Sequence, residues 1–110
     1  MANSNFTYKA TWSNNAGHTY APAKAIQITS LNVTIGVASA AVENLVITLD
    51  SAAGAAYDKI LMTQAMAGVT SIVSEILTLP YPLAKGDEIV VTYANTDSRD
   101  VGLDIQFQGV

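Results

Sequence analysis

Half of the 110 residues are hydrophobic but only 13% are charged, about half the roughly 25% usual for soluble domains. One domain is expected at this length, and low charge beside high hydrophobicity excludes a disordered chain. A net charge of −4 and the absence of cysteine argue against nucleic acid or an anionic membrane as partner, and exclude disulfides, thiolate zinc sites and cysteine nucleophiles.

The first residues, MANSNFTYKATW, lack the basic stretch and apolar run of a signal peptide, so no such export is expected. FTYKATWS then alternates, with Phe6, Tyr8 and Trp12 on one parity and Thr7, Lys9 and Thr11 on the other. That is the pattern of a half-buried strand. NNAGHTYAPAK gathers Asn14, Asn15, Gly17 and Pro22 and reads as a long loop. From Ile26 to Ile35 the apolar parity changes at Ser30-Leu31. This predicts Ile26 and Ile28 facing one way and Leu31, Val33 and Ile35 the other, through a bulge or a bend between sheets. The apolar stretch from Ile26 to Leu49 is interrupted by Gln27, Asn32, Glu43 and Asn44, so it does not read as a membrane span.

ENLVITLD is a strand with Leu45, Ile47 and Leu49 in phase, followed by the small-residue loop DSAAGAA. Tyr57–Met66 and Ser71–Leu79 would each tolerate a helix; both are read as strands, the second because β-branched residues and the stop at Pro80 and Pro82 favour extension. Lys85-Gly86-Asp87 is a turn into EIVVTYAN, whose two apolar faces suit an interior strand or one covered by a neighbouring subunit. After the turn NTDSRD, Val101, Leu103, Ile105 and Phe107 alternate with Gly102, Asp104 and Gln106 as a last strand with one wet face. The expectation is an all-β fold: a single jelly-roll-like β-sandwich over residues 1–110 with seven to eight short antiparallel strands. Residues 1–24 form an N-terminal arm or a first strand and loop.

Little in the sequence points to catalysis. His18 is the only histidine and reads as a loop residue without the orienting partner a triad needs. It also leaves a zinc shell without enough nitrogen and sulfur ligands. Asp97 and Asp100 lack calcium-loop spacing and read as a turn capping its own backbone. The remaining carboxylates are scattered, and no phosphate-binding glycine motif is present. No enzyme activity, cofactor or metal is expected. The rings of Phe6, Tyr8, Trp12, Tyr20, Tyr57, Tyr81 and Tyr93 are expected as core or subunit contacts, with a sugar-stacking platform as the other reading. Few charges together with two-sided apolar strands imply that part of the surface is covered by copies of the chain or by a partner.

The segments ENLVITLDSAAGAAYDKIL, AGVTSIV and LAKGDEIVVTYANTDSRDVGLDI, covering Glu43 to Ile105, resemble a group of short proteins encoded among the virion structural genes of tailed bacteriophages and prophages. The markers are LDSAAGAAYD, the Gly-Asp before an apolar strand, and ANTDSR followed by GLDI. The resemblance implies a small β-sandwich virion component, assembled in the host cytoplasm: most simply a non-enzymatic decoration protein of the capsid surface. Such a protein forms a trimer and binds the major capsid protein, with tail, adaptor or receptor-binding parts as alternatives. The N-terminal third matches no part of this pattern. Its residues Phe6, Tyr8 and Trp12, with Tyr20, are the expected contact with a neighbouring virion subunit, or else an ordinary strand and loop. A carbohydrate-binding sandwich is the competing function.

Overall fold

A computed structural model describes residues 5–15, 17–73 and 81–109. Among the described residues nine strands succeed one another: β1 (Asn5–Trp12), β2 (His18–Tyr20), β3 (Ile26–Ile35), β4 (Asn44–Asp50), β5 (Lys59–Ala65), β6 (Ser71–Val73), β7 (Tyr81–Leu83), β8 (Glu88–Tyr93) and β9 (Val101–Gly109). A single 3₁₀ turn, Ala55–Tyr57, is the only helical piece among the described residues. No helix among them is long and apolar enough to cross a membrane.

One sheet runs β1-β9-β3, with β6 and β7 sharing the far edge of β3; the other runs β2-β8-β4-β5. All pairings between these strands are antiparallel. The order is that of a long ribbon folded over: β1 lies on β9, β2 on β8, β3 on β7 and β6, and β4 on β5. Rolling the ribbon up adds β9 on β3 and β8 on β4, which makes the sandwich a jelly roll.

Period two explains which side chains fill it. In β9, Val101, Leu103 and Ile105 are buried, and in β8 so are Ile89, Val91 and Tyr93. Each large apolar side chain placed there contributes about 1.5–3 kcal/mol. β8 is an interior strand between β2 and β4; Ile89, Val91 and Tyr93 form its buried face, while on the outer face Val90 is half-buried and Thr92 exposed.

The parity change in β3 has a different outcome from the one its sequence predicts. Register shifts between Ile28 and Ser30, so Thr29 is an extra residue whose hydroxyl donates to the Gln106 carbonyl at 3.1 Å. The bulge turns the strand by one residue, and Ile26, Ile28, Leu31, Val33 and Ile35 all face the same core. A second register shift, opposite Ile47 and Thr48, explains the helix-like run Ile60-Leu61-Met62. Ile60 stays exposed while Met62 is buried.

A further expectation is corrected. The stretch read as one long loop contains β2, which pairs with β8 over His18–Tyr20. His18 is accordingly a strand residue and not a loop histidine. Of the strand expected over Ser71–Leu79, the first three residues are β6; residues 74–80 lie outside the described residues.

Candidate functional site: the aromatic edge

β1 is the edge of one sheet and β2 the edge of the other, so both lie on the same long side of the sandwich. The even-numbered residues of β1 stand opposite Phe107, Ile105, Leu103 and Val101 of β9. Because opposite residues of an antiparallel pair share a face, Phe6, Tyr8, Ala10 and Trp12 point to the inner side. β2 supplies His18 and Tyr20 from the facing sheet.

The rings form a continuous ladder. Trp12 and His18 stack with centroids 5.0 Å apart, His18 and Tyr8 at 5.9 Å, and Tyr8 and Tyr20 at 4.3 Å. Tyr20 continues to Phe107 at 6.1 Å, and Phe107 to Phe6 at 5.5 Å. The Tyr8 hydroxyl and His18 Nε2 are hydrogen-bonded at 2.5 Å, a polar rung between the two sheets. Burial, and after it the neighbouring Tyr8, push the Tyr20 phenol above its ordinary value, which keeps it neutral.

Exposure grades along the ladder. Trp12 and Tyr20 are each only 7% exposed, whereas Phe6 is 45% exposed. At the Phe6 end a groove of about 390 Å³ opens, lined by Phe6, Tyr8, Tyr20, Phe107, Pro22 and Lys24 among others. All four aromatic residues expected from the sequence as a contact thus belong to one assembly, but only Phe6 and Tyr8 have appreciable surface left to offer. His18 and Phe107 were not among those four. The only sequence signal for His18 is one alternation in a three-residue strand, too short to show a period; Phe107 continues the inward alternation of β9 and so carries the pattern of a core residue.

Several carboxylates hold loops. The Asp87 carboxylate accepts from the backbone N–H groups of Ala52 (2.9 Å) and Ala84 (3.0 Å), so Lys85-Gly86-Asp87 is a stapled turn. Asp58 accepts from the N–H of Ser51 at 2.8 Å. At the opposite end of the sandwich the Ser39 hydroxyl donates to Asp97 and Glu43 accepts from the N–H of Thr96. The serine–carboxylate pair is far along the chain from His18, which is committed to Tyr8. Among the described residues no three His, Asp or Glu side chains gather as a metal-binding group would require. A second, polar hollow of about 410 Å³ lies on the outer face of the first sheet, lined by Lys9, Thr11, Asn32, Thr34, Gly102 and Asp104 among others.

No protein-family model matches the chain, and no curated protein matches it either.

Proposed function

We propose that this chain is a non-enzymatic structural protein of a tailed-phage virion, which associates with copies of itself and decorates the surface of the head by binding the major capsid protein. The observation that carries the reading is the aromatic ladder: a small jelly roll gathers most of its rings along one edge and leaves Phe6 in an open groove. Large rings so placed are typical anchors of protein interfaces. The low charge and the exposed Val37, Val42, Tyr57 and Ile60 point the same way, since a monomer of this size needs a wettable surface. The resemblance of Glu43–Ile105 to virion proteins supplies the particle. Purified chain mixed with particles lacking it is expected to co-sediment at a fixed stoichiometry, and Phe6→Ser to weaken that binding. A chain that ignores the particles would overturn the reading.

The groove itself favours a second reading, a carbohydrate-binding module, because stacked rings with Lys24 at the rim could seat a sugar face. Binding on a glycan array that Phe6→Ala or Tyr8→Ala abolishes would support it, and a flat array would end it. Trp12→Ala does not discriminate here, since Trp12 is buried.

A further inference from the structure

We infer that β1 is the self-association edge: two copies pair their β1 strands antiparallel about a two-fold axis at Tyr8, joining their first sheets into one continuous sheet. The inference rests on the self-association just proposed and specifies how it happens, with a two-fold pair in place of the trimer that the resemblance implies.

The four sheet edges are treated very differently. β2 is only three residues long, β6 and β7 likewise, and β7 carries Pro82. β5 is interrupted by its register shift and starts at the charged Lys59. Short strands, prolines, charges and bulges are the usual guards against edge-to-edge pairing. β1 has almost none of them. Its eight residues pair with β9 in unbroken register from Asn5 to Trp12, without a proline or bulge and with Lys9 as the sole charge. Its other side has no strand among the described residues, so it presents a row of backbone donors and acceptors ready for another strand.

A second copy of β1 fits that row. Keeping the inner face inward in both copies restricts antiparallel pairing to registers in which residues of like parity meet. The two that pair most of the strand set Asn5–Thr11 against itself or Phe6–Trp12 against itself. The second places Lys9 opposite the second copy's Lys9, and like charges directly opposite are unfavourable. The first places Lys9 opposite the second copy's Thr7 and sets the Phe6 ring against the second copy's Ala10, large against small. Charge and volume therefore choose the register centred on Tyr8. The partly exposed Phe6 is covered in the same step, and the two aromatic ladders meet at the axis.

The chain has no cysteine, which makes a cross-linking test clean. Thr7 and Lys9 are both exposed, so Thr7→Cys and Lys9→Cys should fold normally. Directly opposite residues in an antiparallel pair lie about 4.5–5.5 Å apart between Cα atoms, within disulfide reach, whereas diagonal ones are about 7–8 Å apart and out of it. Under mild oxidation an equimolar mixture of the two variants is expected to give about tenfold more covalent dimer than either variant alone. Cross-linking of Thr7→Cys with Thr11→Cys, which lie directly opposite only in the register centred on Lys9 and leave Lys9 in place, would overturn the register. A multimer by light scattering that cross-links in neither mixture nor in the single variants would overturn the β1 edge while leaving self-association standing. A mass of 11.5 kDa, that of one chain, would overturn both.

Discussion

At one end of the sandwich the loops after β1, β3 and β8 are knit by side-chain hydrogen bonds, while along β1 and β2 the two sheets are joined by stacked rings. The first region centres on Asn95, 1% exposed. Its Nδ2 donates to the carbonyls of Ser13 (3.2 Å), Asn14 (3.1 Å) and Arg99 (3.0 Å), and its Oδ1 accepts from the N–H of Arg99 at 2.9 Å. Asn95 does this at φ 50, a left-handed conformation that asparagine tolerates better than most residues. The aromatic edge has one comparable polar contact, between Tyr8 and His18, and ends in an open groove. Directional bonds in a closed end specify a fold; on the proposed function, the rings left partly uncovered at the open edge are the surface for a partner. The same small domain would then separate the work of holding its shape from the work of binding.

Substitutions should break the two regions in different ways. Asn95→Ala is expected to cost the most, about 4 kcal/mol by chemical denaturation, because four part-buried hydrogen bonds from one buried side chain are lost at once. A loss under about 1 kcal/mol would mean that the closed end is not what fixes the fold. Gly17→Ala should follow at about 3 kcal/mol, through backbone strain and a clash. Gly17 has φ +86, and a Cβ there would meet the Val91 carbonyl oxygen at 2.1 Å, prising the start of β2 from β8.

On the aromatic edge the effects on stability are smaller. Tyr8→Phe keeps the ring stack and removes one partly buried hydrogen bond, so about 1 kcal/mol is expected. The tyrosines also set an alkaline limit. Burial, as the largest cause, raises the Tyr20 and Tyr93 phenols above their ordinary 10.0, so each is held neutral in the folded chain. Their contribution is fully present below pH 10.0 and is lost as pH climbs through the raised folded values, because the unfolded chain ionises first. Denaturation followed across that range should show stability falling, and Tyr20→Phe should flatten the slope. Smallest of all for the fold is Phe6→Ser, expected within about 0.5 kcal/mol of the parent yet reducing the solution mass. A variant that unfolds instead would erase the distinction between the two regions.

Much of the closed architecture was legible locally. The alternation of β4, β8 and β9 and the parity change in β3 come directly from side-chain period, and the all-β sandwich follows from them. What escaped was set by pairing over long sequence distances. β2 has too few residues to show a period, so His18 looked like a loop residue although β8 holds it in a sheet. The bulge at Thr29 was visible as a parity change, but its effect of turning all five apolar residues of β3 to one core depends on the partner strand β9. The grouping of Phe6, Tyr8, Trp12 and Tyr20 was anticipated as residue types. Their ladder with His18 and Phe107 exists only because β1 and β2 end up as edges on the same side of the two sheets. Asn95 read as a turn residue, and its reach to Ser13 and Asn14 is a tertiary fact no local pattern carries.

The central claim, that the aromatic edge exists for association, is tested most directly by light scattering of the purified chain beside its Phe6→Ser variant. The account predicts an integral multiple of 11.5 kDa for the parent and a shift toward the single-chain mass for the variant, with both equally folded. A parent that stays at 11.5 kDa over the whole accessible concentration range would contradict it.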